Sequence, residues 1–333
     1  MTEDLYIGLD GGQSGTRAVL ADAEGTIRAF GRGPACDHIT APRGYESNKA
    51  AIHGAISDAL GKAGAKAEQI AGVGMGLTSA PRELNAQPTF EQIVHEIAAP
   101  GHIWIDHDAA SNLAGATAGA AGVMVIAGSG SIAYGINEAG VEGRAGGLGY
   151  LMGDEGSAWW SGIRALQAAA AAADGRGPET ALLPFVLEHY NLPTIRHIHT
   201  FLYADTFTRP MVSGITIDVV RLAESDPVAR SIITEASQRL ANMVLATIRQ
   251  IYSTGESVDI YPTGGVFRAG DDVMRPFSQA ILGEWPEAVI TKPHFEPVIG
   301  ALIRGYQHAG IEITPTLLEN LRESSQEQLL KEF

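Results

Sequence analysis

The chain has 333 residues, of which 45% are hydrophobic and 18% are charged, and its formal net charge is −15. This length suffices for two domains with complete cores, and the negative charge argues against nucleic acid or an anionic membrane as a partner. The single cysteine, Cys36, excludes a disulfide, a structural zinc site and a protein-bound iron–sulfur cluster within one chain. Because there is no membrane-spanning apolar run and no signal peptide at the acidic start, we expect a cytoplasmic protein.

The first predicted element is a strand that begins at Leu5 and ends near Asp10. A glycine-rich turn and a second strand, which starts at Arg17, complete a hairpin. Glycines leave backbone N–H groups bare, and concave turns of such groups bind phosphate. An aspartate at the end of the strand suits a hydrated Mg²⁺ beside that phosphate. The alternative is an ordinary glycine-rich hairpin. The turn residues concerned are Gly11, Gly12, Ser14 and Thr16.

Polar residues then occur in a loop and at the end of a further strand. Asp37 lies in a predicted loop at 33–44, which either covers a substrate or is simply solvated. After a stretch with helical spacing, residues 69–77 read as a strand. Thr78 and Ser79 follow at its carboxyl end, where ligands gather in open α/β sheets.

Asp108 is the residue that the sequence favours as a general base. A short strand at 102–105 runs into Asp106 and Asp108, where a helix begins. A carboxylate at such a junction can accept the proton of an attacking hydroxyl. The alternative is that Asp106 or Asp108 caps the helix.

A second hairpin repeats the plan of the first one. A strand of buried type at 122–127 is followed by a small-residue turn and another strand. Two such hairpins indicate an internal duplication, in which each half offers a phosphate-binding tip to a shared cleft. A chance pairing is the alternative in a chain with 40 glycines. The turn residues are Gly128, Ser129, Gly130 and Ser131.

Two later stretches carry further candidate residues. Asp154 and Glu155 precede a predicted helix, and they either cap it or bind sugar hydroxyls or a hydrated metal. Gly264 and Gly265 follow a strand at 258–261 and would let the backbone lie flat against adenine. A plain Gly-Gly turn is the alternative there.

In this order, the motifs resemble those of the actin-like ATPase superfamily of acetate and sugar kinases, Hsp70 and actin. The turn after Asp10 resembles its first phosphate motif, residues 128–131 its second, and residues 263–266 its adenosine motif. More narrowly, Gly-Gly-Leu-Gly at 146–149 and Gly-Asp-Glu-Gly-Ser at 153–157 resemble the signature of the N-acetylglucosamine kinases. The same signature is typical of the ATPase family that holds benzoyl-CoA reductase subunits and dehydratase activators. The resemblance extends over nearly the whole chain.

The resemblance implies an α/β protein with two ribonuclease-H-like domains and an interdomain cleft for ATP and a sugar. It implies an N-terminal domain of residues 1–114 with 313–333 and a C-terminal domain of residues 115–312. It also implies ATP and Mg²⁺ as cofactors, a small-molecule sugar as the substrate, and a homodimer.

Roles of single residues also follow from the resemblance. Asp108 corresponds to the family's catalytic base, which takes the proton of a sugar hydroxyl, here expected to be the 6-OH. The implied substrate contacts are Asp37, Thr78, Ser79, Asp108, Ser129 and Asp154. The implied ATP contacts are Gly11, Gly12, Ser14, Thr16, Gly128, Ser129, Gly130, Ser131, Gly264 and Gly265, and the implied metal ligand is Asp10.

Two departures from the family pattern bear on the substrate. His107 stands where the family usually has Asn, and Asp37-His38-Ile39 stands where some N-acetylglucosamine kinases have Asn-His-Trp. Ile39 removes a stacking surface, and an ionised Asp37 offers only acceptors, so it could pair with an ammonium group. We therefore consider free glucosamine beside N-acetylglucosamine. The alternatives are N-acetylmuramic acid, a neutral hexose, or a non-kinase role as an electron-feeding ATPase, a sugar sensor or a filament-forming protein.

Overall fold

The computed structural model of the chain describes residues 3–12, 15–78, 80 and 84–331. The strands within them are β1 (Leu5–Gly12), β2 (Gly15–Asp22), β3 (Ile27–Gly33), β4 (Ile70–Leu77), β5 (His102–Asp106), β6 (Gly122–Ala127), β7 (Ser131–Ile136), β8 (Glu142–Gly146), β9 (Val258–Thr263) and β10 (Ala288–Ile290). The α-helices are α1 (Gly44–Ala63), α2 (Gln87–His95), α3 (Asp108–Ala116), α4 (Ala158–Ala173), α5 (Leu182–His189), α6 (Ile198–Leu202), α7 (Pro210–Ser213), α8 (Thr216–Leu222), α9 (Pro227–Ile251), α10 (Asp271–Glu284), α11 (Pro297–His308) and α12 (Pro315–Lys331).

The chain divides into two units, each built on one mixed five-stranded sheet. Unit 1 comprises residues 1–120 and 293–333, and unit 2 comprises residues 121–292. The strand orders are β3-β2-β1-β4-β5 and β8-β7-β6-β9-β10. In both sheets the first three strands form an antiparallel meander, and the last two run parallel to the central strand. This repeated topology confirms the predicted α/β fold and the predicted internal duplication.

The second segment of unit 1 begins at residue 293 and not at the expected 313, because α11 packs on the first sheet. The first segment ends at residue 120, six residues beyond the expected 114. A Cβ on Gly8 of β1 or on Gly74 of β4 would overlap the backbone of α11, so glycine allows this close approach. Buried apolar residues of α11 and α12 then join those of β1, β2 and β3 in one core cluster. The other face of the sheet packs against α1 and α2.

Unit 2 has its own core around the long helix α9. Asp226 caps this helix by accepting hydrogen bonds from the N–H groups of Val228 and Ala229. The buried face of α9 packs on β7, β8 and α10. Among the helices of the described ranges, none is both long and apolar enough to cross a membrane.

Candidate active site

Unit 1 brings acidic and hydroxyl side chains together where three parallel strands end. Since β1, β4 and β5 run parallel, their carboxyl ends share one edge of the sheet. Asp10 of β1 pairs with Gly76 of β4, Thr78 follows β4, and Asp108 begins α3 just after β5. Thr78 Oγ1 donates a hydrogen bond of 2.8 Å to Asp108 Oδ2. This bond fixes the orientation of the carboxylate that the sequence favours as the base.

The start of α3 is capped by His107. Its Nδ1 accepts a hydrogen bond of 3.2 Å from the N–H of Ala110. Asp106 Oδ1 instead accepts the N–H of His107 at 2.8 Å, and Asp106 is buried. The alternative that Asp106 or Asp108 caps the helix is therefore wrong. A neutral imidazole nitrogen supplies the acceptor that an asparagine would supply at this position.

The electrostatics of this edge are dominated by carboxylates. Burial, together with the negative charges of Asp108 and Glu296, raises the pKa of Asp10 to about 7, although Arg17 opposes this shift. Arg17 lies opposite Asp10 in the hairpin register, and its Nη1 is 2.7 Å from Glu296 Oε2. A cation bound beside Asp10 would relieve the repulsion between Asp10 and Asp108.

The residues of the first hairpin next to its turn are packed closely against the core of unit 1. A Cβ on Gly11 would lie 2.6 Å from Leu77 Cδ2 and 2.9 Å from Cys36 Sγ. Thr16 is only 2% exposed, and its hydroxyl lies 3.3 Å from the Cys36 thiol, so its side chain is directed into the core. Gly12 accepts the N–H of Cys36 through its carbonyl oxygen. Thr16, predicted as an ATP contact, therefore supports the hairpin from within.

The remaining predicted contacts of unit 1 lie elsewhere or cannot be placed. Asp37 is exposed on the loop between β3 and α1, and its Oδ1 accepts the N–H of His38 at 2.8 Å. Ser14 and Ser79 lie outside the described residues.

In unit 2, the turn between β6 and β7 is closed around the carboxylate of Asp154. Asp154 Oδ1 accepts the N–H of Ser131 at 3.0 Å, and the Ser131 hydroxyl donates to the carbonyl of Glu155 at 2.8 Å. A Cβ on Gly130 would lie 2.8 Å from Asp154 Oδ1, so glycine is needed for this approach. The N–H of Gly128 is bonded to the carbonyl of Gly130. The N–H groups of Ser129 and Gly130 are thus the donors that the turn can offer to a phosphate.

Asp154 itself is buried, and it does not cap α4. Ser157 caps that helix by accepting the N–H of Trp160. Asp154 has a left-handed backbone (φ +61°), and its Oδ2 lies 3.1 Å from Nη2 of Arg209. The prediction that Asp154 or Glu155 caps the helix is wrong for Asp154, whose carboxylate is held between the turn and an arginine.

A cavity of about 490 Å³ lies next to the same turn. Its wall combines backbone of the turn with small and aliphatic side chains and one arginine. The lining residues are Gly128, Ser129, Ala158, Ser213, Gly214, Thr216, Ile217, Val220, Gly265, Val266, Arg268 and Ala269. An apolar wall beside a phosphate-type turn fits a nucleoside whose phosphates extend over the turn.

The two glycines of the predicted adenosine motif have different surroundings. Gly265 lines the cavity, and no atom lies within 4 Å of the Cβ that could be added there. Gly264 has φ +98°, and a Cβ there would overlap the carbonyl oxygen of Ala127. Gly264 is therefore required by backbone conformation and packing, and of the two glycines only Gly265 is among the residues that line the cavity.

The donor set fits a nucleotide-borne magnesium ion better than a resident metal. The residues that the structure describes contain no group of three or more His, Cys, Asp or Glu side chains arranged to hold a metal. Mg²⁺ keeps several waters and is usually bound by one or two carboxylates together with substrate phosphates. Asp10 can supply such a carboxylate.

Three contributors to these sites were not predicted from the sequence. Arg17 could have been found, because a register that pairs Gly12 with Gly15 sets Arg17 opposite Asp10. Arg209 and the cavity wall formed by α7 and α8 come from a stretch with weak periodicity. Nothing in the local sequence connects that stretch to Asp154.

Comparisons with known proteins agree with this description. The model of the BadF/BadG/BcrA/BcrD ATPase family matches residues 7–305. The chain is 29% identical over 301 residues to the N-acetylmuramic acid/N-acetylglucosamine kinase of Clostridium acetobutylicum, covering 89% of this chain and 96% of that one. It is 26% identical over 317 residues to the N-acetyl-D-glucosamine kinase of Dictyostelium discoideum, covering 91% and 98%. The crystal structure of a protein from Chromobacterium violaceum, proposed to be an N-acetylglucosamine kinase, has a TM-score of 0.73 and 25% identity, covering 91% and 99%.

Proposed function

The chain belongs to the BadF/BadG/BcrA/BcrD ATPase family, and from this premise we propose that it is an ATP-dependent kinase of amino sugars. Two curated relatives, from Clostridium acetobutylicum and Dictyostelium discoideum, are sugar kinases aligned over almost their whole length. The observation that carries the proposal is the hydrogen bond between Thr78 and Asp108, which holds a carboxylate at the strand edge that also bears Asp10.

In the proposed reaction Asp108 is the general base. It accepts the proton of a sugar hydroxyl, expected to be the 6-OH, while the hydroxyl oxygen forms a bond to the γ-phosphorus and the bond to the β-phosphate oxygen breaks. Thr78 donates to Oδ2, and in this proposal the other oxygen, Oδ1, is the one that accepts the proton. General-base catalysis of this kind contributes about 10²–10⁴-fold to a rate.

The nucleotide is proposed to bind with its base in the cavity of unit 2 and its phosphates at the adjoining turn of residues 128–131. The turn after Asp10 in unit 1 stays a predicted phosphate contact. Gly265 and Ile217 offer apolar wall, and the N–H groups of Ser129 and Gly130 offer donors to phosphate oxygens. Asp10 would hold a hydrated Mg²⁺, which would offset the charge that accumulates on the phosphates. Arg17, opposite Asp10, adds a positive charge on the same edge of unit 1.

The sugar is proposed to be an amino sugar, with N-acetylglucosamine and free glucosamine as the two leading forms. Asp37 carries an exposed carboxylate of which Oδ1 is already bonded to His38 N–H, so Oδ2 is the oxygen that can receive an ammonium or hydroxyl group. N-acetylmuramic acid and neutral hexoses stay as further candidates. A pocket that differs by one methyl or hydroxyl group discriminates by only about 1–3 kcal/mol.

An electron-feeding role of the kind found among dehydratase activators has little support here. Such a role needs cysteines that can meet those of a second subunit. The one cysteine of the chain, Cys36, is 4% exposed, and burial raises the pKa of its thiol. A purified protein that contains iron and sulfide would reverse this conclusion.

The test is ADP release with Mg²⁺-ATP across N-acetylglucosamine, glucosamine, N-acetylmuramic acid and glucose, for the wild type and for Asp108→Asn. We expect strong stimulation by one amino sugar and a loss of about 100-fold or more in Asp108→Asn, with nucleotide affinity retained. Asp271→Asn is the matched control, because Asp271 also lies in the first turn of a helix but is exposed, its side chain being 86% accessible. Absence of stimulation by every sugar would refute the kinase, and normal turnover in Asp108→Asn would place the base elsewhere.

A further inference from the structure

Asp154 is joined to an arginine that the proposed reaction does not use. Arg209 Nη2 lies 3.1 Å from Asp154 Oδ2 and also donates to the carbonyl oxygen of Ser129 at 3.0 Å. One nitrogen therefore connects the carboxylate expected to bind the sugar with the turn expected to bind phosphate. The Asp154 side chain is 6% exposed and that of Arg209 is 32% exposed.

Both carboxylate oxygens of Asp154 are held by this arrangement. Oδ1 accepts the N–H of Ser131, and Oδ2 is paired with Arg209. A buried carboxylate needs such compensation, because an uncompensated charge in the interior is strongly unfavourable. Asp154 also has φ +61°, a conformation that a non-glycine residue keeps only when its surroundings enforce it.

The guanidinium group of Arg209 is itself oriented by aromatic rings. Its central carbon lies 4.8 Å from the ring centroid of Tyr150 and 5.9 Å from that of Trp159. Planar stacking is a property of arginine that lysine lacks. Nε of Arg209 is buried and has no hydrogen-bond partner among the described residues. The guanidinium group is thus oriented by its contacts through Nη2 and by the two aromatic rings.

The backbone that carries Arg209 is also anchored. Tyr190 donates its hydroxyl to the carbonyl of Met211 at 2.7 Å. The ring of Phe207 packs edge-on against Trp159, with 6.1 Å between centroids. The hydroxyl of Ser213, which lines the cavity, donates to the carbonyl of Arg209. A segment held on both sides of Arg209 can keep the guanidinium in a fixed place.

We propose that Arg209 is the positioning residue of the sugar site: it holds Asp154 against the turn of residues 128–131 in the orientation that receives a sugar hydroxyl. This inference rests on the proposed kinase function. Arg209 acts through Asp154 and does not itself touch the reacting atoms. Its loss should therefore weaken sugar binding and turnover, and it should affect the nucleotide much less.

The test compares Arg209→Ala and Arg209→Lys with Arg164→Ala in the full-length protein. Arg164 is the matched control, because it too is paired with a carboxylate, Glu235, and stacks on a tryptophan, Trp160, and neither partner belongs to the turn. In Arg209→Ala we expect kcat/KM for the sugar to fall about 10- to 150-fold, which corresponds to one lost hydrogen bond to a charged group. We expect the affinity for a non-hydrolysable ATP analogue to change less than about threefold, and Arg209→Lys to be intermediate.

Two further measurements distinguish positioning from general support of the fold. Guanidinium ion at low millimolar concentration should restore part of the activity of Arg209→Ala, whereas equal urea or sodium chloride should not. The double variant Arg209→Ala/Asp154→Asn should be no worse than Asp154→Asn alone, because the two residues act as one unit.

The outcomes separate this inference from the proposed function. If the wild type phosphorylates no sugar, the kinase proposal fails. If the wild type is active but Arg209→Ala behaves like Arg164→Ala, or loses sugar and nucleotide binding equally, the positioning role is refuted. Additive losses in the double variant would refute it as well.

Discussion

Gly264 and Gly265 are adjacent in sequence, and the structure predicts opposite consequences when each is replaced by alanine. At Gly264 the backbone has φ +98°, and an added Cβ would overlap the Ala127 carbonyl oxygen and lie 2.7 Å from its carbonyl carbon. At Gly265 no atom lies within 4 Å of an added Cβ. Gly264→Ala should therefore lower the stability of the fold, and Gly265→Ala should weaken the binding of a ligand in the cavity.

The magnitudes follow from the two environments. A left-handed backbone costs an alanine about 1–2 kcal/mol, and forcing a methyl group against a packed strand costs about 1–3 kcal/mol more. For Gly264→Ala the sum is about 2–5 kcal/mol. In a domain of this size that lowers the melting temperature by about 4–20 °C. For Gly265→Ala the free energy of unfolding should change by no more than about 0.5 kcal/mol, as for an exposed surface site.

The assays are thermal unfolding without ligand and binding of an ATP analogue. Gly265→Ala places a methyl group in a wall expected to contact adenine, and a misfit of this size is worth about 1–3 kcal/mol, or about 5- to 150-fold in affinity. Gly264→Ala should unfold earlier. Where it remains folded, the analogue should still bind to it, since Gly264 does not line the cavity. Wild-type stability of Gly264→Ala, or unchanged nucleotide affinity of Gly265→Ala, would refute the division of roles.

Two further predictions concern the carboxylates of unit 1. Because the folded protein raises the pKa of Asp10 to about 7, ionised Asp10 destabilises it. This penalty is absent below about pH 4, grows between pH 4 and 7, and is complete above pH 7. Without Mg²⁺, Asp10→Asn should raise the melting temperature at pH 8 and change it little at pH 4. The gain in the free energy of unfolding at pH 8 has an upper limit of about 4 kcal/mol. The variant should also weaken the Mg²⁺ dependence of ATP binding, and equal shifts of the melting temperature at both pH values would contradict this account. In Asp37→Asn, the ratio of rates with glucosamine and N-acetylglucosamine should shift toward the acetylated sugar, and an unchanged ratio would rule out an ionic contact at Asp37.

Much of the architecture could be predicted because it rests on local patterns. Alternating apolar residues and small-residue turns identified both hairpins, and the duplication follows from their similarity. Asp108 could be selected because a carboxylate directly after a strand is unusual unless it has a chemical or a capping role. Which role applies could not be read from the sequence, because capping by His107 depends on the tautomer and placement of a neighbouring ring.

The remaining features depend on contacts between distant residues. Helix α11 lies close to both α3 and β4: a Cβ on Gly300 would overlap the carbonyl oxygen of Ser111, and a Cβ on Gly74 would overlap that of Ala301, and the local sequence does not indicate either contact. Arg209 reaches Asp154 across 55 positions of sequence, from a stretch without clear periodicity. Thr16 looked like a ligand contact because it follows a glycine turn, whereas its hydroxyl lies against Cys36 in the core. Each of these is a tertiary contact that overrides a local signal.

The division of unit 1 into two sequence segments has a consequence during synthesis. Residues 121–292 contain every strand and helix of unit 2, so that unit can be completed as soon as they leave the ribosome. The first sheet is made earlier, yet the face that bears Gly8 and Gly74 stays open until α11 emerges. The unit that begins first is thus finished last, and a nascent chain that stalls before residue 293 displays an uncovered apolar sheet, a surface that chaperones bind.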